Sequence, residues 1–424
     1  MGLLRMAVEN YRCFKERQEI ELRPITIILG KNNSGKSALT RLPLLLETGV
    51  RTDSTLPLDL EALGDDPPDY LDLVYGRNVH RALRFEFVVG GPGRAIEIKA
   101  TIQNIAERQI QFVRELRVAD GGRSLRLEWL AEDAGRSYSM TLRSRPPVEM
   151  KIRFRGLIPV VTDRSGTDPD HIDWLAGLEY DVRRCFGEIQ YLSAYRQRPS
   201  RLIRLPSRIA ADVGSVGENA AGMLVNDHVR GERVLLDQVN RLLGDSLAGW
   251  RLEIEQQGPM YAVNLRSLTN PELSVNLLDS GTGVAQVLPL LVQRAYDTVN
   301  RKALRQGTLH VIEEPELHLH PAFHALLADL FIAGAQQQTG RFLIETHSET
   351  MLLRIRRRIA EGRIPPDDVA VYFVDHDAGS SWVRRIGIDR LGNLDYWPSG
   401  VFSEDFEETK KLAEAQFARE CHEG

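Results

Sequence analysis

Residues 30–37, "GKNNSGKS", match the pattern GxxxxGK[ST] at every fixed position. That spacing can hold a polyphosphate. Gly30 and Gly35 let the backbone turn so that the N–H groups of Lys31, Asn32, Asn33 and Ser34 point inward. Lys36 can reach the β- and γ-phosphates, and the Ser37 hydroxyl can ligate Mg2+. A chance match in a Gly/Ser-rich turn is the rival reading. Context opposes it: "ITIIL" before the loop reads as a buried strand, and "SALTRLPLLLE" after it as a helix that Pro43 can kink.

A second cluster, "LHVIEEPELHLHP" at 309–321, holds three acids and three histidines. Its apolar start reads as a buried strand ending in Glu313 and Glu314. Nucleotide hydrolases place two jobs at such a strand end: one acid holds Mg2+, directly or through water, and the next polarises the attacking water. Glu313 is thus the candidate metal ligand beside Ser37, and Glu314 the candidate base. Aspartate is the more usual first acid, so the longer Glu313 arm must be accommodated. Two rivals fit less well. His318 and His320 form an H-x-H that can bind zinc, but no E-x-x-H pattern or nearby cysteine supports it. Adjacent acids on a strand point to opposite faces, which suits a glycosidase pair poorly.

Asp279, Ser280, Gly281, Thr282 and Gly283 form a short Gly-rich turn before an apolar helix, a second loop-to-helix anion site. Alone it reads as an ordinary N-cap by Ser280 or Thr282. One nucleotide has no use for two cradles, but two antiparallel chains do, each offering the turn to the other's nucleotide. His347 follows the apolar run 342–344 and can bond a γ-phosphate or the attacking water. A Ser–His pair with Ser348 lacks the separately placed geometry of a triad, and Ser348 reads as a helix cap. Upstream, "LLRMAVENYRCFKERQEIEL" reads as strand, turn, strand. Tyr11 and Arg12 there either approach the adenine and phosphates or belong to a surface hairpin; Arg12 joins the candidate nucleotide contacts.

The elements that must position these residues span 424 residues, enough for two or three structural units. Residues 80–160 alternate like an antiparallel sheet, and residues from about 168 to 250 look helical. "YAVNLRS" and "ELSVNLL" read as strands returning to the nucleotide lobe, and the tail from Glu404 as an acidic amphipathic helix. No heptad series fills the gap between the phosphate loop and Asp279, which excludes a coiled-coil rod. The net charge of −5 gives no global pull toward polyanions. Arg-rich stretches at 196–208 and 354–363 can touch a phosphate backbone or serve as salt-bridged faces. Cys13, Cys185 and Cys421 are far apart, pointing to a reducing cytoplasm. The N-terminus has charges inside its apolar stretch, unlike a signal peptide, and no window reaches the roughly 20 apolar residues of a membrane span.

In order, these pieces resemble the ABC-type ATPase heads of the SMC, RecF and OLD group. "NYRCF", "GKNNSGKS", "DSGTGVAQVLP", "IEEPELHLHP" and "ETHSE" are similar to prokaryotic RecF-like or OLD-like AAA family ATPases. "YLSAYRQRPSR" resembles their middle segment, and "IGIDRLGNLDYWPSGVFSEDFEE" a C-terminal domain of unknown function found on such proteins. The resemblance implies an α/β P-loop NTPase of ABC-head type, with a mixed central sheet, an attached antiparallel β-sheet and an inserted helical lobe. The corresponding division is 1–165 (phosphate loop and antiparallel sheet), 166–255 (helical lobe), 256–375 (signature, Walker B, switch histidine) and 376–424 (accessory segment). It implies a homodimer, or a higher assembly, holding ATP and Mg2+ between heads. Lys36 and Ser37 would face Ser280, Gly281 and Gly283 of the other subunit, with Glu314 as base and His347 as switch. Relatives act in phage defence or DNA repair, often beside a nuclease or other effector. The alternative is a RecF-type nucleic-acid scaffold that holds ATP structurally. No nuclease signature follows His347, so catalysis on DNA by this chain is not expected.

Overall fold

The computed structural model describes residues 2–91, 93–105, 110–130, 137–143, 146–161, 169–244, 249–300, 307–397 and 404–423. Its centre is a six-stranded sheet in the order Ile189–Leu192, Leu309–Glu313, Arg341–Glu345, Ile25–Gly30, Val369–Asp377, Ser380–Ile386. The first five strands are parallel and the last is antiparallel, so the sheet is mixed.

The short apolar runs form this sheet because both of its faces are covered. Along Ile25–Gly30, Ile28 packs into one core while Ile25, Ile27 and Leu29 pack into the other, the alternation a strand imposes. Arg341–Glu345 divides likewise, Leu343 to the first core, Phe342 and Ile344 to the second. Burial on two faces fixes the register, and with it the strand ends.

One core is roofed by a nine-stranded antiparallel sheet that runs from Ile158–Val161 at one edge to Gln18–Glu21 at the other. Gly2–Glu9 and Gln18–Glu21 form the expected hairpin and lie in this sheet, so it draws on the N-terminus as well as residues 83–161. The other core holds the helices Ala220–Arg230, Val234–Gly244 and Thr282–Val299 and a small sheet built on Trp250–Gln257 and Met260–Ser267.

The structure differs from the sequence expectations in three places. Ile189–Leu192, inside the span read as a helical lobe, is an edge strand of the central sheet, paired with Leu309–Glu313. The helix Pro169–Phe186 packs on the antiparallel sheet, so only 220–244 is a helical lobe in the expected sense. "YAVNLRS" and "ELSVNLL" form strands, but in the small sheet and not in the ATPase sheet. The expected boundary near residue 165 lies outside the described residues. The helix after the phosphate loop does break before Pro43, into Lys36–Thr40 and Leu42–Val50. Tail residues 404–423 are helical, as expected.

Candidate active site

The phosphate loop leaves the strand Ile25–Gly30 and enters the helix Lys36–Thr40. Its turn needs glycine in two places. A Cβ on Gly30 would lie 2.2 Å from the Val374 carbonyl oxygen, and one on Gly35 (φ 104°) 2.4 Å from Cys13 Sγ. The second contact explains the "NYRCF" segment. Tyr11 is buried, its hydroxyl donates to the Ala38 carbonyl at 3.3 Å, and its ring stacks edge-on to Phe85. Tyr11 therefore braces the loop's outgoing helix and is not available to stack on a base. Arg12 is exposed and does not line the cleft described below; its backbone N–H donates to the Leu73 carbonyl at 2.7 Å. The expectation that Arg12 meets the nucleotide gains no support from this placement.

A cleft of about 730 Å3 opens over the loop. Asn32, Asn33, Lys36, Ser37, Glu314 and His347 line it, which brings together residues far apart in sequence. Lys36 Nζ donates to the Lys31 carbonyl at 2.6 Å, and burial lowers its pKa against the pull of Glu345 and Glu314. Lys31 is exposed and pairs with Asp375 at 3.4 Å. Ser34 is buried, its hydroxyl without a hydrogen-bond partner among the described residues.

Glu314 follows the strand Leu309–Glu313 in a left-handed conformation, φ 40°, uncommon for a residue with a side chain. Its N–H donates to the Glu345 carbonyl at 2.8 Å, and its own carbonyl accepts from Arg196 at 2.9 Å. His347 Nε2 lies 3.8 Å from Glu314 Oε1. Burial first, then the nearby Lys36 charge, lowers the His347 pKa and favours a neutral imidazole. The His347 N–H and the Thr346 hydroxyl both donate to Glu316 Oε1, at 2.7 and 2.6 Å. Ser348 caps the helix Glu349–Ala360 by accepting from the Met351 N–H and touches His324 Nδ1 at 2.8 Å.

Glu313 makes no hydrogen bond to Ser37 and does not line the cleft. Arg41 grips both Glu313 oxygens, at 2.6 and 2.8 Å, and the Tyr191 hydroxyl donates to the second at 3.0 Å. The acid that meets Ser37 is Glu345, whose Oε1 accepts from Ser37 Oγ at 2.8 Å. Glu313 and Glu345 are register partners on adjacent parallel strands, so both carboxylates arrive at the same end of the sheet.

Asp279, Ser280, Gly281, Thr282 and Gly283 do not line the cleft. Asp279 is held by a bidentate Arg201 at 2.7 Å, and Ser280 Oγ donates to the Leu277 carbonyl. Gly281 and Thr282 are exposed at the start of the helix Thr282–Val299. Gly283 lies against the segment after Glu314, where a Cβ would come 3.2 Å from the His318 carbonyl.

No group of three or more His, Cys, Asp or Glu among the described residues can hold a metal ion, which leaves the H-x-H zinc reading without support. His320 accepts from the Ala322 N–H as a helix cap, and His318 lines the cleft. Among the described residues no helix is long and apolar enough to cross a membrane. Cys13 and Cys185 are free thiols.

Sequence reasoning passed over Arg41, Tyr191, Glu316, His324 and Glu345, and left Arg196 without a role. Arg196 is buried and donates to the carbonyls of Glu313 and Glu314, at 3.0 and 2.9 Å. Glu345 had a usable signal. It is an acid closing a buried strand beside the phosphate-loop strand, the same pattern that singled out Glu313.

No curated protein matches the chain. The chain is similar in fold to the SMC head domain from Thermotoga maritima: 13% identity, 92% of this chain and 100% of that one, TM-score 0.42. It is similar also to an SMC head bound to the C-winged helix domain of ScpA, with 12% identity, 92% and 99% coverage and TM-score 0.44. A third is the Pyrococcus furiosus SMC head with an extended coiled coil, bound to the C-terminal domain of ScpA, with 12% identity, 98% and 99% coverage and TM-score 0.42. Scores this low add nothing to the sheet order and loop geometry, which carry the P-loop assignment. The family model described as "AAA ATPase domain" matches residues 1–65 and 233–352, and that of the protein of unknown function DUF3696 matches 364–412. The first match takes in the phosphate loop, the signature-like turn, Glu313, Glu314 and His347, all but the turn gathered at one end of the central sheet. The chain is thus similar to the AAA ATPase domain family over two sequence segments, and to the DUF3696 family over the segment that follows them.

Proposed function

We propose that this protein is an ATP-hydrolysing switch that dimerises around two ATP molecules and controls a partner effector. The observation that carries the reading is the single cleft that unites Lys36 and Ser37 with Glu314 and His347. Lys36 binds the β- and γ-phosphates, and the loop N–H groups orient them. Glu314 takes the proton of the attacking water. Neutral His347, held by the backbone contact to Glu316, orients that water or the γ-phosphate. Mg2+, when bound, would supply the neutralisation of phosphate charge that such chemistry needs. The buried Glu345 oxygen without a partner and the Ser37 hydroxyl fit such a cation.

The signature-like turn supports the dimer. Gly281 and Thr282 are exposed and do not line the cleft of their own chain, as suits a turn offered to the nucleotide of a second chain. Control of an effector, in phage defence and in the cytoplasm, extends the resemblance to RecF-like and OLD-like proteins. The nucleic-acid scaffold is the weaker reading. Arg354 and Arg358 pair with Asp329, Arg357 and Arg363 with Glu361, and Arg356 donates to the Gly392 carbonyl. Each of these five arginines thus already has an intramolecular partner, although two carboxylates do not neutralise five guanidinium groups.

Light scattering at fixed protein concentration, with ATP·Mg2+ and with ADP·Mg2+, tests the switch. The mass should double with ATP and relax as phosphate is released. A wild-type protein that binds no ATP defeats the reading.

A further inference from the structure

Two carboxylates end neighbouring strands beside the phosphate loop, and their surroundings divide the work between them. Glu313 is only 3% exposed and makes three hydrogen bonds: two from Arg41 in bidentate form and one from Tyr191. The Arg41 charge neutralises it, and the bonds occupy both oxygens in the geometry that guanidinium favours. Three of its roughly four lone-pair positions are thus already taken.

Glu345 is equally buried, at 3% exposure, with no ion pair within 4 Å among the described residues. One oxygen accepts from Ser37 Oγ at 2.8 Å. The other is buried and makes no hydrogen bond among the described residues; the Thr40 hydroxyl lies near enough to favour the carboxylate, but donates to the Lys36 carbonyl. A buried carboxylate with an idle oxygen is costly unless something compensates it. The Ser37 hydroxyl that it touches is the group a phosphate loop offers to Mg2+, a cation that takes oxygen ligands.

We infer that Glu345, and not Glu313, presents the carboxylate to the nucleotide-bound divalent cation, alongside Ser37, while the Arg41–Glu313–Tyr191 cluster acts as a structural latch. The Ser37–Glu345 hydrogen bond holds the two oxygens side by side at the position the cation would take. The inference rests on the ATPase reading.

The test uses the full chain with ATP and Mn2+ as the probe, free Mn2+ being read by electron paramagnetic resonance. ATP affinity is measured separately in EDTA. Glu345→Gln keeps the volume and removes the charge. It should weaken Mn2+ binding to the ATP complex by at least ~10-fold, the loss typical even of residues that only support a ligand. Its ATP affinity in EDTA should match wild type, which shows that the loop is intact. Glu313→Gln should lower the melting temperature and leave Mn2+ affinity unchanged. If Glu345→Gln does not fold, Glu345→Asp, with its shorter arm, must still weaken Mn2+ binding. Wild-type Mn2+ affinity in the Glu345 variants, or a loss confined to Glu313→Gln, overturns the inference. Those outcomes leave the ATPase reading intact, whereas a wild type that binds no ATP defeats both.

Discussion

Replacing Arg196 by methionine probes how Glu314, the proposed catalytic base, is held. Arg196 is 6% exposed, and its guanidinium bridges the consecutive carbonyls of Glu313 and Glu314. Hydrogen bonds from a charged group contribute about 1.5–3 kcal/mol each, so the gross loss is about 3–6 kcal/mol. Part of that returns, because a buried charge is removed. Burial already lowers the Arg196 pKa to about 10, although the group stays charged at neutral pH. A net destabilisation of about 2 kcal/mol is expected. The functional effect should be larger. Glu314 sits at φ 40°, a conformation that costs about 1–3 kcal/mol and persists only while its neighbours enforce it. With Arg196 gone, the Glu345 carbonyl remains as the partner of the Glu314 N–H. Relaxation would draw the carboxylate away from His347. A displacement of about 1 Å lowers the rate on the order of 100-fold. Denaturant midpoints and single-turnover ATP hydrolysis read the two effects, with ATP affinity close to wild type. Arg196→Lys should fall between, since an ammonium does not span two carbonyls as a planar fork does. An Arg196→Met protein with wild-type stability and hydrolysis would refute the reasoning.

Three further outcomes follow from the same geometry. Gly30→Ala places a Cβ 2.2 Å from the Val374 carbonyl and should abolish ATP binding, measured by titration of a fluorescent ATP analogue, or prevent folding. Glu316→Ala removes the acceptor of both Thr346 and the His347 N–H, so hydrolysis should drop on the order of 10- to 100-fold with ATP binding retained. Glu47, on the helix Leu42–Val50, has its pKa pushed up to about 7 by burial, which Arg51 at 3.6 Å only partly offsets. The folded protein then keeps a proton that the unfolded chain releases, so stability falls as pH rises from the ordinary carboxylate range through 7. Glu47→Gln should therefore raise thermal stability over wild type at about pH 8 and give no gain at about pH 4.

Much of this site was legible because local pattern and chemistry coincide at it. The phosphate loop, Glu314 and His347 each follow a short buried strand, and burial on both faces of a parallel sheet is what makes such strands read as apolar runs. What escaped was set by pairing between strands. Glu313 and Glu345 look alike in sequence, and what distinguishes their surroundings is set by side chains from elsewhere: Arg41, just past the helix Lys36–Thr40, and Tyr191 on Glu313, and Ser37 on Glu345. Arg196 was hidden because its window is rich in arginine and its value lies in backbone carbonyls, which carry no sequence signal. Tyr11 was open to a base-stacking reading until its hydroxyl was found on Ala38. The strand Ile189–Leu192 was absorbed into a helical reading because it is four residues long and sits just after an 18-residue helix.

We propose that Glu314 activates the water that attacks a nucleotide held between two copies of this chain. Single-turnover phosphate release from Glu314→Gln, run with light scattering, tests it most directly. Water activation by a general base contributes about 100- to 10,000-fold. A loss of at least that lower size is expected, with ATP still bound and the protein stalled as a dimer that ADP does not support. Hydrolysis at the wild-type rate, or an ATP-bound variant that stays monomeric, would contradict it.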